Sequence, residues 1–358
     1  MKKILLISNE SQLNGAPRSL LEFAINLREK FIFTVLLPEN KKEIVSLLKQ
    51  KNIQIIVLNE IKNLYKYWVG RRILINLKLF FKILRLIKVK KFEAIYINTL
   101  SARFVAIPAL MARICYKTRI IWHVREYSHN TLIQSLSIFL IKVIPNIAIT
   151  NSVYNKKKIH NRASITIYNG VKQIPESKIS PIPYPPKLLF IGRVTEEKGI
   201  LDIVEAYEKI DSKFCPPLDV VGTSSDIDFF KNLVQNKGLS NHITFLGLQG
   251  SVSRFIQRSS ILVLPSHREG GPSRVILEAF SYGRPVIASK VGGIPEIVNN
   301  KNGILIDPND TEQLKDAILL LSNNKNLIID KGKNARVTAK NYTLKKYVRN
   351  INEIFNKI

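Results

Sequence analysis

The stretch Leu262 to Val298, LVLPSHREGGPSRVILEAFSYGRPVIASKVGGIPEIV, constrains this chain more than any other. An apolar run, Ile261–Leu264, stops at Pro265, as a buried strand does where it meets a loop. The loop from Ser266 to Ser273 carries Glu269 beside Gly270 and Gly271. Apolar residues then recur at helical spacing from Val275 to Phe280, and Gly283 ahead of Arg284 and Pro285 is a helix stop. A second strand, Pro285–Ala288, follows. Such a strand–loop–helix–strand unit belongs to a parallel sheet, and it sets Glu269 at the carboxyl edge, where open α/β sheets bind ligands. Glu278 lies in the helix that follows. A single loop glutamate is by default a solvated charge. The adjacent glycines, which allow close backbone approach, and a helix N-terminus offering amide donors favour a site instead.

The first half of the chain alternates short apolar runs with helical patterns, which predicts a doubly wound parallel sheet. The candidate strands are Lys3–Ser8, Phe31–Leu37, Ile53–Leu58, Ala94–Asn98, Arg119–His123 and Asn146–Thr150. Between the first two, a turn from Asn14 through Gly15, Ala16 and Pro17 to Arg18 opens a helix expected over Ser19–Arg28, and its amides can face a phosphate. His123 and Arg125 fall at the end of a strand. Pro175, Pro181, Pro183, Pro185 and Pro186 cluster as an interdomain linker. The expected division is an N-terminal domain over 1–174, a linker over 175–186, a C-terminal domain over 187–340, and a last helix over 341–358 that returns to the first domain. After the strand Leu188–Ile191 come Gly192 and Arg193, then Lys198 and Gly199. A guanidinium matches phosphate oxygens with a bidentate fork and lysine adds a mobile point charge, so this pair suits a diphosphate.

Charge is unevenly placed. The 358 residues carry a net +28, yet residues 1–180 hold 31 Lys and Arg against 9 Glu and no Asp, a net +22. A basic half implies an anionic partner. Residues 61–92 contain no acid, and apolar residues at 73, 74, 77, 80, 81, 84 and 87 share one helical face. Arg71, Lys78, Lys82 and Arg85 take the complementary face, giving a basic amphipathic helix. Either its apolar stripe packs on the sheet or it lies on an anionic membrane, with Tyr65, Tyr67 and Trp68 at the interface. The apolar start of the chain is too short for a signal peptide, and Leu132–Ile149 is broken by Lys142, Pro145 and Asn146. Cys115 and Cys215 lack metal-ligand spacing and suit a reducing compartment. The five histidines, at 123, 129, 160, 242 and 267, include no zinc-type pair. Asp226 and Asp228 superficially form a metal-binding D-x-D, but they precede a helical pattern, where first-turn acids favour the dipole. Nucleic-acid recognition motifs are missing.

The donor-side motifs resemble those of the family 4 retaining glycosyltransferases, which have the GT-B fold. The matching residues are Pro265, Ser266, Glu269, Gly270, Glu278, Ala279, Gly283, Pro285–Ser289, Gly292 and Gly293, together with the Gly192, Arg193, Lys198 and Gly199 element. Weaker likenesses cover Gly15 and Ala16, with Asn14 where the family usually has glycine, then His123, Ile149–Ser152 and Tyr168–Val171. One departure stands: eight residues, 270–277, separate the two glutamates where the family usually has seven. The resemblance implies an α/β protein of two doubly wound Rossmann-like domains facing across a cleft. It implies a retaining transferase that needs no metal or other cofactor and takes a UDP- or GDP-linked sugar. Arg193 and Lys198 would hold the diphosphate, Glu278 the ribose, and Glu269, with the amides of Gly270 and Gly271, the sugar. Gly15, Ala16 and Gly192 would line the donor, and His123 would contact the donor sugar or the acceptor side. Arg125, with the basic helix, would serve the acceptor, a lipid-linked glycan of bacterial surface polysaccharide synthesis, at the cytoplasmic face of the membrane. Two other readings are a non-enzymatic basic α/β protein that binds membrane or nucleic acid, and a nucleotide-sugar epimerase on the same fold.

Overall fold

This computed structural model describes residues 1–11, 15–63, 69–126, 131–159 and 164–358. Asn14, Tyr65, Tyr67, Trp68, His129 and His160 lie outside the described residues, as does the side chain of Arg71. The chain divides into two compact units, Met1–Asn169 with Lys345–Ile358, and Gly170–Leu344.

The first unit runs β1 (Lys2–Ser8), α1 (Gly15–Leu27), β2 (Phe31–Leu37), α2 (Lys42–Gln50), β3 (Gln54–Val57), α3 (Glu60–Asn63), α4 (Val69–Lys90), β4 (Ala94–Asn98), α5 (Ala106–Tyr116), β5 (Arg119–Val124), α6 (Thr131–Val143), β6 (Ile147–Thr150), α7 (Val153–Ile159) and β7 (Ile165–Thr166). All strand pairs are parallel, in the order β3-β2-β1-β4-β5-β6-β7. The strand order reverses between β1 and β4. Buried side chains of α4, α5, α6 and α7 share one apolar core with the sheet. A separate aromatic cluster joins Phe23 of α1 and Phe31 and Phe33 of β2 to Tyr96, Tyr347 and Phe355. Phe355 is fully buried, with its ring centroid 5.4–6.0 Å from those of Phe23, Phe31, Phe33 and Tyr96. Phe355→Ala therefore leaves a large void, and we expect a loss of about 3–5 kcal/mol from the unfolding transition that reports on this unit. Denaturant titration followed by tryptophan emission measures it; a loss below about 1 kcal/mol contradicts the packing.

The second unit runs β8 (Leu188–Ile191), α8 (Ile200–Glu208), β9 (Leu218–Val221), α9 (Ile227–Asn236), β10 (Ile243–Gly247), α10 (Ser253–Arg258), β11 (Ile261–Leu264), α11 (Arg274–Ser281), β12 (Val286–Ser289), β13 (Gly303–Ile306), α12 (Thr311–Ser322) and α13 (Lys325–Ala339). The last helix, α14 (Leu344–Asn356), falls almost wholly in the first unit. The second sheet is also parallel, ordered β10-β9-β8-β11-β12-β13, with its strand order reversing between β8 and β11.

Three readings of the sequence need correction. Helix α1 begins at Gly15 rather than Ser19, so Gly15 and Ala16 are its first turn, not a loop before it. The proline-rich stretch is anchored to the second unit: Ile174, Ile179 and Ile182 pack on its core, and the buried Arg284 guanidinium donates to the carbonyls of Ser180 (3.0 Å), Ile256 (3.2 Å), Gln257 (2.7 Å), Ser259 (2.9 Å) and Tyr282 (2.8 Å). Burial without a carboxylate pulls this arginine down to about 10. Finally, α4 packs through Leu79, Ile83 and Ile87, while Leu74, Leu77 and Phe81 of the expected packing stripe face outward beside Lys78, Lys82 and Arg85. The helix is apolar on nearly every side, so periodicity alone could not choose the buried face.

Candidate functional site

In the second unit, the loops after β8 and β11 emerge side by side where the strand order reverses, the usual ligand edge of such sheets. After β8, Gly192 and Arg193 lead into a tight turn that ends at Lys198, and Gly199 (φ +76°) closes it. After β11 comes the Ser266–Ser273 loop. The two loops join at one carboxylate: Lys198 Nζ donates to Glu269 Oε1 at 2.6 Å, and the buried Ser266 hydroxyl donates to the same oxygen at 3.0 Å. Arg193 is exposed, and its guanidinium has no hydrogen-bond or ion-pair partner among the described residues. The edge thus presents one uncommitted fork and one lysine with only part of its donor capacity used. A nucleoside diphosphate needs such cations.

Glycines make this arrangement possible. A Cβ on Gly199 would stand 2.1 Å from the Pro265 carbonyl oxygen, and one on Gly222 would stand 1.8 Å from that of Gly192. Gly292, at φ +55°, abuts the Glu269 carbonyl oxygen so closely that a Cβ would fall 1.7 Å from it. Gly293 also lies tight on Gly271 and Pro272. The pair after β12 is therefore the floor on which the Glu269 loop rests.

Glu278, in α11, is nearly buried and accepts from Arg274 Nε at 3.0 Å, one turn away. Arg274 is legible in the sequence only as an i,i+4 partner. His267 and Asp202 form a second contact that no motif marks. His267 Nε2 lies 2.9 and 3.0 Å from the two Asp202 carboxylate oxygens, and the His267 amide donates to the Glu197 carbonyl at 2.9 Å. These bonds hold the β11 loop to α8 and to the lysine turn. The partners of His267 lie 65 residues away (Asp202) and 70 residues away (Glu197, 267 − 197), and no spacing in the sequence announces them.

Asp226 stands at the N-cap of α9 and Asp228 in its first turn, paired with Lys231 at 3.6 Å. Among the described residues no group of three or more His, Cys, Asp or Glu side chains gathers as a metal site.

The first unit carries a polar cluster at the carboxyl ends of β4 and β5. Arg125, expected on the acceptor side, is buried. Its Nε donates to Asn98 Oδ1 (2.9 Å), Nη1 to Asn169 Oδ1 (2.6 Å), and Nη2 to Tyr347 Oη (3.0 Å) and His123 Nδ1 (3.3 Å). Asn98 also donates to the Ala16 carbonyl at 3.1 Å, and Ser19 Oγ lies within hydrogen-bonding distance of the Gly15 carbonyl oxygen and Asn169 Oδ1. Gly15, Ala16, His123 and Arg125 are thus brought into one network. Arginine can only donate, so His123 Nδ1 accepts and the neutral ring carries its proton on Nε2. Burial, reinforced by the Arg125 charge, holds His123 well below the usual histidine range. Its Nε2 is a buried donor with no partner among the described residues. The Tyr96 hydroxyl, 2.5 Å from Nδ1, and Arg125 together hold this ring in place.

Comparison with known proteins agrees with this architecture. Residues 173–340 match the family model for glycosyl transferases group 1. An uncharacterised glycosyltransferase of Methanocaldococcus jannaschii is 33% identical over 205 residues, covering 56% of each chain. The N-acetyl-alpha-D-glucosaminyl L-malate synthase of Bacillus anthracis is 31% identical over 150 residues, 42% of this chain and 39% of that protein. The chain spans about half the length of the first curated relatives it matches. The solved structure of Anabaena HepE in complex with UDP and glucose superposes over 100% of both chains with a TM-score of 0.82 at 20% identity, a likeness of fold. Two parallel α/β units of this kind are the GT-B architecture. With the motifs of the second unit in place and the family match spanning them, residues 173–340 are similar to the glycosyl transferases group 1 family.

Proposed function

We propose that the protein is a retaining glycosyltransferase that moves a sugar from a nucleoside diphosphate, UDP first among the candidates, to a lipid-linked or glycan acceptor. The observation that carries this reading is the meeting of Lys198 with Glu269 beside the uncommitted Arg193 at the strand-order reversal of the second sheet. In this reading the bond between the sugar C1 and the phosphate oxygen breaks and its electron pair stays on the phosphate. Arg193 and Lys198 stabilise that charge in place of a metal. The acceptor oxygen bonds C1 from the same face, and its proton passes to the departing phosphate oxygen. Glu269, released from Lys198 or sharing it, holds sugar hydroxyls, and Glu278 accepts from the ribose diol. The Anabaena HepE structures, solved with UDP and with UDP-glucose, support uridine as the base. The acceptor is placed at an anionic membrane surface because the first unit carries most of the positive charge.

The test is a thermal-shift screen of UDP-, GDP- and ADP-linked sugars in the presence of chelator. The matching donor at a hundred times its Kd stabilises the protein by about 2.7 kcal/mol. Glu278→Ala should weaken that binding more than it slows turnover at saturation. Proton NMR of the first-formed product should then show the anomeric configuration of the donor. Indifference to every nucleotide sugar would leave a non-enzymatic binder. Conversion of donor with no acceptor consumed would favour an epimerase, and a strict requirement for divalent metal would overturn the two-cation mechanism.

A further inference from the structure

Helices α4, α5 and α6 lie on one face of the first sheet and share its core. They are neighbours: α4 packs beside α5, and Arg113 of α5 donates to the carbonyls of Val143 and Ile144, at the end of α6, at 2.8 Å each. Each helix also has a second, outward apolar stripe at helical spacing. On α4 it holds Leu77 and Phe81, the latter 62% exposed; on α5, Ile107 and Ile114, the latter 69% exposed; on α6, Leu136 and Phe139, the latter 60% exposed. Exposed apolar side chains gathered on three neighbouring helices suit an interaction site.

The charge pattern selects the partner. The three helices, of 22, 11 and 13 residues, contain no aspartate or glutamate. Exposed Lys78, Arg85 and Lys142 stand among the apolar side chains, as does Lys82, which pairs with Glu60 of the neighbouring α3. A protein partner for this face would have to combine an apolar surface with acids set opposite each cation. An anionic bilayer offers acyl chains to the apolar residues and headgroups to cations whose stems lie along the same surface. No helix of the described residues is long and apolar enough to cross a membrane, which leaves insertion to interfacial depth.

We propose that the outer face of α4, α5 and α6 docks the protein on an anionic bilayer by burying its apolar side chains, with the cations as an electrostatic supplement. This deepens the lipid-acceptor reading above and rests on it for its purpose, though not for the binding itself.

The experiment is flotation of the full chain with phosphatidylglycerol and phosphatidylcholine vesicles at low and high salt. The wild type should favour the anionic vesicles. Leu77→Ser, Phe81→Ser, Ile114→Ser and Phe139→Ser combined should lower that affinity by about 10²-fold or more even at low salt, since each removes apolar burial. Lys78→Gln, Arg85→Gln and Lys142→Gln combined should lower it by about tenfold or more. A tryptophan introduced by Phe81→Trp in the wild-type background should shift to shorter emission wavelength on anionic vesicles and be quenched by brominated chains. Donor-induced thermal shift must be unchanged in both combined variants, so that loss of docking and loss of the donor site are told apart and unfolded variants are recognised. Equal binding to both vesicle types by the wild type overturns the proposal. So does undiminished binding of the serine variant, or an emission that vesicles leave unshifted in Phe81→Trp. A wild-type dimer that the serine changes dissociate, without vesicle binding, would instead make this face a contact between copies of the chain.

Discussion

Arg193→Ala and Lys198→Ala should each lower kcat by about 10²-fold or more while the protein melts within a few degrees of wild type. The scale is that of losing one donor aimed at developing charge. Arg193 is exposed and makes no side-chain bond among the described residues, so its removal costs the fold little. Lys198 differs. Its removal also strips Glu269 of a partner at 2.6 Å, leaving the carboxylate with the Ser266 hydroxyl. Lys198→Ala should therefore raise the KM for donor as well as lower kcat, by repelling the diphosphate from an uncompensated carboxylate. The double change Lys198→Ala with Glu269→Gln separates the two contributions: KM should recover and kcat should not. Wild-type turnover in either single variant would remove the diphosphate assignment.

Gly292→Ala should be as damaging, although Gly292 bears no chemistry. Its added methyl would lie 1.7 Å from the Glu269 carbonyl oxygen, at a φ of +55° that L side chains rarely adopt. The Glu269 loop must then lift. A displacement of about 1 Å in a reacting group is enough for a loss near 10²-fold. Nucleotide binding through Glu278 should stay within a few-fold, because α11 does not rest on Gly292. Gly250→Ala is the control, since a Cβ there meets nothing within 4 Å. Steady-state kinetics and nucleotide titration on the two variants decide the matter. Full activity in Gly292→Ala would mean that the loop does not need its floor.

Much of this was legible in the sequence because β-strand ends and glycines announce themselves locally. Ile261–Leu264 ends at a proline, Gly192 and Gly199 bracket the cation turn, and both features appear at the sheet edge as expected. What was not legible depends on partners far apart in the chain. Arg284 read as punctuation after a helix, yet it binds carbonyls as far as 104 residues away. Arg125 reads as an acceptor-side residue at a strand end, and nothing local announces that Tyr347, 222 residues on, accepts its hydrogen bond. For α4 the difficulty was different. With apolar residues on both faces, hydrophobic periodicity has two solutions, and only the packing of Leu79, Ile83 and Ile87 against the sheet picks one. The same ambiguity is what leaves Phe81 facing outward.

The first unit is discontinuous, closed by residues 345–358. Lys2 at its start donates to the Ile358 carbonyl at 2.6 Å, and Phe355 completes its aromatic cluster. During translation the whole of Gly170–Leu344 must leave the ribosome before that closing helix exists. At ordinary elongation rates this takes roughly ten to thirty seconds. The second unit, begun later, can finish folding while Phe23, Phe31 and Phe33 still wait for a cover. The nascent first unit is thus the species that a chaperone would hold, and deleting residues 345–358 would injure the unit whose strands are made before Gly170.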